Sequence, residues 1–390
     1  MIGLFLLCCT SVIQAQSGSQ AEKLMNALKT KNLTKVLETV QNIDSVDYKD
    51  SNGLSLLMYA AEIGSAELCG ILVDKGATLN LKSNNGLTAL ILASQNGNLE
   101  VVKLLLNKNA DPDLQDAVYK TNALMQASQN GYSEIVGLLI DKGAQLNLQR
   151  ANGSNALIAA SVNGHTEIVK LLIDKGADLD MQSSKGSTAL IIASRNGNKE
   201  IVRLLLDKGA NPDLKCDDGS TALLWASLQG HTEIVKLLLD KGAKPDMQIS
   251  DGATALIWAS VKGYPDIVNL LLDKGASPDL KRNDGESSLL IAVRDGRIEI
   301  TKLLLEKGAN PDLQSSAWLT PLMVVSQNGN PEIASLLLEK GANADLQRSD
   351  GITALMVASM NWRTDIVSLL LNKGANPDLK RADGESALLI

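Results

Sequence analysis

Aromatic side chains are scarce in this chain, with one phenylalanine, four tryptophans and five tyrosines among 390 residues. That argues against one large aromatic core. A single core also stops growing at roughly 250–300 residues, so a hydrophobic fraction of 45% fits many small layers of Leu, Ile, Val and Ala. Histidine is scarcer still. His165 and His231 are the only two, both in a Gly-His-Thr-Glu context, where a structural capping role is expected rather than a catalytic or metal-binding one. The four cysteines give neither a disulfide framework nor a zinc spacing, since Cys8 and Cys9 sit in the apolar start while Cys69 and Cys216 lie far apart. No block of like charge exists to serve as a basic arm, and the net charge is −7, so nucleic acid is not an expected partner. P-loop, dinucleotide, protease and kinase motifs are missing as well. The expectation is a protein that is not an enzyme and uses no cofactor and no metal.

No apolar run reaches the roughly 20 residues a membrane-spanning helix needs. The apolar start, residues 1–15, reads either as a signal peptide or as a plain apolar leader. Its h-region would be Ile2 to Cys9, with Ile13 and Ala15 before the cleavage site, but no Lys or Arg precedes it. Asn32-Leu33-Thr34 is a glycosylation sequon that matters only if the chain is secreted.

What the sequence has in abundance is punctuation. Gly153, Gly186, Gly219, Gly252 and Gly285 recur at one fixed interval, and Gly53, Gly86, Gly351 and Gly384 continue that register. Lys120, after a one-residue insertion, and Trp318 take the glycine's place in two units. A second series runs through Gly64, Gly97, Gly131 and on to Gly329, and a third through Gly76, Gly143, Gly176 and on to Gly374. Three marks per period imply three turns per unit. Between the first and second marks a short apolar segment predicts a helix, N-capped by Thr188, Thr221, Thr254, Thr320 and Thr353, with Pro321 at a first helical position. The second glycine ends it in a left-handed conformation. A second helix follows, for instance Lys199 to Lys208, with Asn98, Asn198 and Asn330 as N-caps. Acids such as Glu134 and Glu167 occupy its first turn, and lysines such as Lys175 its far end. The third glycine then leads through an extended stretch and a polar turn, often Asp-Gly, into the next unit.

These residues carry a resemblance. From about residue 50 to 390 the chain resembles the ankyrin-repeat family, and Asn163 to Asp180 (NGHTEIVKLLIDKGADLD) is similar to the family's second half-repeat almost residue for residue. The resemblance implies an all-α solenoid of stacked helix-turn-helix units with β-hairpin-like fingers. Residues 16–49 read as an N-terminal capping repeat, with Leu24, Leu28, Leu33, Val36 and Leu37 apolar. The family's Thr-Pro-Leu-His becomes Thr-Ala-Leu followed by Ile91, Ile191, Leu224, Ile257 or Met356, so hydrophobic contact is expected to replace the histidine's hydrogen bonds. The last repeat stops at Ile390 inside a first helix, which is expected of a piece of a longer protein. Residues 379–390 nearly repeat residues 280–291, three units earlier.

A stacked array offers an extended concave face, and the expected function is a non-catalytic protein-interaction scaffold, monomeric, holding a protein or peptide there. The alternatives are a targeting segment of a larger multidomain protein, catalytic or not, and a structural spacer. The family's usual setting implies a cytoplasmic protein, and a true signal peptide would imply a secreted one. By resemblance, the ligand-facing residues are those around the first glycine and the exposed end of the first helix. They include Lys185, Arg195, Asp218, Ser220, Asp251, Ala253, Lys262, Asp284 and Arg294. The acidic finger tips would favour a mixed or basic partner. Trp225 and Trp258 occupy equivalent places in consecutive units, either filling space between helices or anchoring a ligand. Trp318, on an exposed turn, is either a recognition residue or a local repacking, and Tyr119 shares that ambiguity.

Overall fold

A computed structural model describes residues 20, 22–30, 36, 39–43 and 45–387. The leader at 1–15, with Cys8 and Cys9, and the sequon at Asn32 lie outside the described residues. Among the described residues, twenty helices follow one another from Leu56 to Asn372, preceded by a helical stretch over 22–29 in which Leu24 and Leu28 are buried. The fingers contribute only isolated bridges, Lys49 with Ser55, Lys281 with Ser287 and Lys380 with Ser386. The chain forms two compact units, one reaching Ile192 and including Asp207–Gly209, the other comprising Ala193–Leu206 and Ala210–Ile390.

One repeat of the second unit shows why the sequence folds this way. Thr221 is extended and its hydroxyl accepts the Leu224 N–H at 3.3 Å, which starts the first helix, Ala222–Gln229. Gly230 ends it at φ +78°, a conformation that costs an L-residue roughly 1–2 kcal/mol. The second helix, Thr232–Asp240, buries Ile234, Val235, Leu238 and Leu239. Helices this short cannot stand alone in water, where about 12–15 residues are needed, so stacking must supply their stability. In the first unit the helices Leu56–Ile63, Ala89–Asn96, Ala123–Asn130 and Ala156–Val162 pack side by side, and in the second Ala222–Gln229, Ala255–Lys262, Ser288–Arg294, Pro321–Asn328 and Ala354–Met360 do the same. The residues standing in for the family histidine, Ile91, Ile191, Leu224, Ile257 and Met356, are all buried. Apolar packing does replace the polar network.

Polar ladders tie neighbouring repeats together. Within the first unit, finger joins finger through Asn84 N–H to Asn52 C=O (3.0 Å), Ala117 to Asn85 (2.8 Å), Ala151 to Tyr119 (2.8 Å) and Ser184 to Asn152 (2.8 Å). Behind the second helices, side-chain oxygens of Asp213, Asp246, Asp279, Asp312 and Asp345 accept backbone N–H groups of the next repeat at 2.8–2.9 Å. In several repeats the lysine after the second helix pairs with an aspartate of the preceding repeat, as in Lys175–Asp141 at 2.9 Å and Lys274–Asp240 at 2.7 Å. It stands at the C-cap, so it serves the stack as much as the helix dipole.

Two expectations about second-helix caps need correction. Asn98, His165 and His231 make no side-chain cap hydrogen bond to their own helix. Each reaches back to the previous repeat instead. Asn98 donates to Ala61 C=O at 2.8 Å, His165 Nε2 meets Gln129 C=O at 3.0 Å, and His231 Nε2 meets Arg195 C=O at 3.2 Å. These side chains lie over the helix-ending glycine of that repeat, where a Cβ on Gly131 would come within 2.7 Å of the His165 ring. The carbonyls a helix leaves unpaired at its C-terminus are thereby satisfied from the next unit. Asn330 does cap its own helix, accepting the Ile333 N–H at 3.1 Å.

Candidate functional site

Most of the residues expected to face a ligand stand on the fingers and first helices of the second unit. Lys185 is exposed on a finger of the first unit. Arg195 is exposed, and its guanidinium lies 5.5 Å from the centroid of the Trp225 ring, a cation–π contact worth about 0.5–1 kcal/mol at an exposed site. Trp225 is half-buried and donates its indole N–H to Ser220 Oγ at 3.0 Å, while Ser220 donates in turn to Asp218 Oδ1 at 2.6 Å. Ser220 is thus turned inward at 2% exposure rather than facing a ligand, and Ala253, its counterpart in the next repeat, is fully buried beside Ile257 and Ile291.

Trp258 occupies the same turn of the neighbouring helix. It packs with Ile249 and Val261 against that apolar cluster, and its indole N–H is buried without an acceptor. Where Trp225 finds Ser220, Trp258 finds the methyl of Ala253. It is half-buried, a side chain shared between core and surface.

The charges are less available than the sequence implies. Asp251 pairs with Arg282 at 3.3 Å, and Arg282 also lies 3.9 Å from Asp284. Arg294 pairs with Glu286 and with Asp295. Burial works against its charge, but these two carboxylates raise its pKa above the ordinary arginine value. Farther along, Arg348 holds the carboxyl of Asp350 down to about 2, and Arg381 pairs with Asp383. Most acidic tips of this unit therefore carry their own arginine, and exposed pairs of this kind contribute about 0–1 kcal/mol each. Lys262 is exposed at the end of its helix.

Trp318 is 56% exposed at φ +60°, the left-handed place that glycine fills in most fingers. The side chain projects from a turn closed by the backbone N–H of Trp318, which donates to Ser315 C=O at 3.0 Å. Trp362 escapes notice in the sequence, although it stands one period beyond Gly329, where the second glycine series would continue. It is 86% exposed at φ +57°, at the end of the first helix Ala354–Met360. Beside it, Asn361 and Arg363 help line an open polar cleft of about 940 Å³ that also reaches Arg294, Gln327 and Glu332. Non-glycine residues in this conformation are uncommon, and for a bulky ring such an outlier motivates a functional reading.

Among the described residues no group of His, Cys, Asp or Glu side chains is placed to hold a metal ion, and no helix is long and apolar enough to cross a membrane. The geometry is that of an all-α repeat solenoid, built in each unit from paired short helices joined by fingers. The family described as ankyrin repeats in three copies matches residues 24–116, 124–216, 208–282, 245–315 and 289–381. The chain belongs to the ankyrin-repeat family, whose members are generally protein-interaction modules and typically non-catalytic. None of the curated proteins matches the chain.

Proposed function

We propose that the chain is a non-catalytic scaffold that holds a protein or peptide against the finger and first-helix face of its second unit. The observation that carries this reading is Trp318, a large ring kept in water on a backbone conformation that disfavours it. Aromatic anchors dominate binding energy at protein interfaces. Trp225, with Arg195 over its face, supplies a second half-buried aromatic on the same unit. Arg294 contributes less than its charge implies, because a partner must displace Glu286 or Asp295 to use it.

Trp258 is a poor probe of the site, since removing it would also open the apolar cluster around Ile257. Trp318→Gly is better. It relieves a left-handed L-residue worth about 1–2 kcal/mol, offset by up to about 1 kcal/mol of glycine entropy. Affinity capture from native cell extract with the full chain, read by mass spectrometry, should return a partner that W318G and Trp225→Ser lose while melting temperature holds for W318G. Retention of every partner by both variants would refute the assignment.

A further inference from the structure

The irregular finger of the first unit is built differently from its neighbours. It runs from Asp116 to Thr121, one residue longer than its neighbours, with Lys120 at φ +56° in the glycine's place. The Asp116 side chain is turned inward, leaving the residue 4% exposed, and its carboxylate accepts three backbone N–H groups, from Val118 at 2.9 Å, Tyr119 at 2.6 Å and Thr121 at 2.7 Å. Gln115 ties the far side, donating to Lys120 C=O at 2.5 Å and to Gln149 C=O at 2.8 Å. A buried charge spent on shaping a loop leaves that loop rigid. What it presents is apolar, with Val118 53% and Tyr119 70% exposed.

The surroundings are basic in a chain whose net charge is −7. Of the finger carboxylates in this unit, Asp116 is buried, and the Asp50 side chain is 6% exposed and pairs with Lys29 at 3.3 Å. The remaining tips carry Ser51, Asn52, Asn84, Asn85, Ala151 and Asn152. Lys49, Lys82, Lys120 and Lys185 are exposed along the same row of fingers. The amines of Lys49 and Lys82 lie in register along it, each donating to a carbonyl of the next finger, at 2.9 and 3.2 Å.

We propose that the finger Asp116–Thr121 is a docking element of the first unit, and that it takes an acidic protein segment whose apolar side chains cover Val118 and Tyr119. The lysine row supplies the charge complementarity and the rigid tip supplies the anchor, at low ordering cost because the loop is already formed. An aliphatic valine beside a single ring suits a protein side chain better than a run of stacked bases, which needs successive aromatic platforms. Asp116 acts as a positioning residue. This proposal is independent of the reading given for the second unit.

A phage-displayed random dodecapeptide library panned against the full chain tests it, with Val118→Ser/Tyr119→Ser, Asp116→Asn and W318G as parallel baits. The native chain and W318G should enrich peptides that combine Asp or Glu with aliphatic or aromatic residues. A synthetic peptide from that pool should bind the V118S/Y119S chain at least about tenfold more weakly. D116N, which keeps the tip's side chains, should weaken the same peptide as well, and its tip amides should exchange faster with solvent. Far-UV circular dichroism should stay unchanged in both variants, because Val118 and Tyr119 are exposed and the buried Asp116 carboxylate bonds to N–H groups of its own finger rather than of a helix. Identical enrichment by the V118S/Y119S bait, enrichment of basic peptides, absence of any enrichment, or loss of the acidic peptides with W318G alone would each overturn the proposal. Tighter binding of a fluorescent poly-thymidine oligonucleotide than of the acidic peptide would overturn it too.

Discussion

Replacing Ala253 with serine should stabilise the protein, although Ala253 is fully buried and hydroxyls are ordinarily unwelcome there. The reason lies one repeat earlier. At Ser220 the backbone N–H donates to Asp218 Oδ1 at 2.9 Å, and the hydroxyl bridges the Trp225 indole to that same oxygen. At Ala253 the backbone N–H donates to Asp251 Oδ1 at 2.8 Å in the same way, but no hydroxyl is present and the Trp258 N–H is left buried and unpaired. Leaving such a donor unsatisfied costs about 1–3 kcal/mol, and a new hydrogen bond returns about 1 kcal/mol net. One effect opposes this gain. Ile249 packs against Ala253, whereas the smaller Cys216 holds the matching position beside Ser220. Overpacking against Ile249 would cost about 1–3 kcal/mol, so the pair Ile249→Cys/Ala253→Ser, which copies the earlier repeat, separates the two terms. A repeat array opens locally rather than all at once, so the sensitive assay is hydrogen exchange of the Trp258 indole N–H by NMR, beside the denaturant midpoint. A gain of about 1 kcal/mol slows exchange roughly fivefold. Ser220→Ala should speed exchange at Trp225 by a similar factor. Unchanged exchange at Trp258 in both A253S and the double variant would refute the reasoning.

Gly131→Ala should destabilise the first unit more than Gly143→Ala. Both glycines sit at φ +86°, but a Cβ on Gly131 meets the His165 ring at 2.7 Å whereas one on Gly143 meets nothing within 4 Å. The difference should reach about 1 kcal/mol in denaturant titrations, because the ring must leave Gln129 C=O, and equal midpoints would contradict this. The Asp350 carboxyl should titrate near 2 by NMR and move toward its unfolded value of 3.8 in Arg348→Gln. Its folded pKa is depressed, so its contribution to stability is present above about 4 and fades as pH falls toward 2. The contribution should be small, since the group is 42% exposed. Cys69, whose thiol burial pushes up to about 12, should resist alkylation at pH 8 while the half-buried Cys216 reacts first. Site-resolved mass spectrometry reads the order, and the reverse order would be inconsistent with the packing.

The repeat period, the threonine caps, the left-handed glycines and the two-helix unit were all legible in the sequence, because each depends on residues within a few places of one another. The hydroxyl of Thr221 needs only the Leu224 N–H, and Gly230 needs only its own missing Cβ. The non-glycine Trp318 stood out for the same local reason. What lies across repeats was not legible. His165 reads as the cap of the helix it precedes, and only stacking shows it closing the end of the helix in the repeat before. Asp251 reads as a free acid until Arg282, on the next finger, is seen beside it. The same holds for Trp225 and Trp258, equivalent by spacing but distinguished by a serine and an alanine at the finger base. Backbone sterics and helix capping act along the chain and so are written in its order, whereas ion pairing and indole burial depend on which repeat faces which, and only the stacked structure decides that.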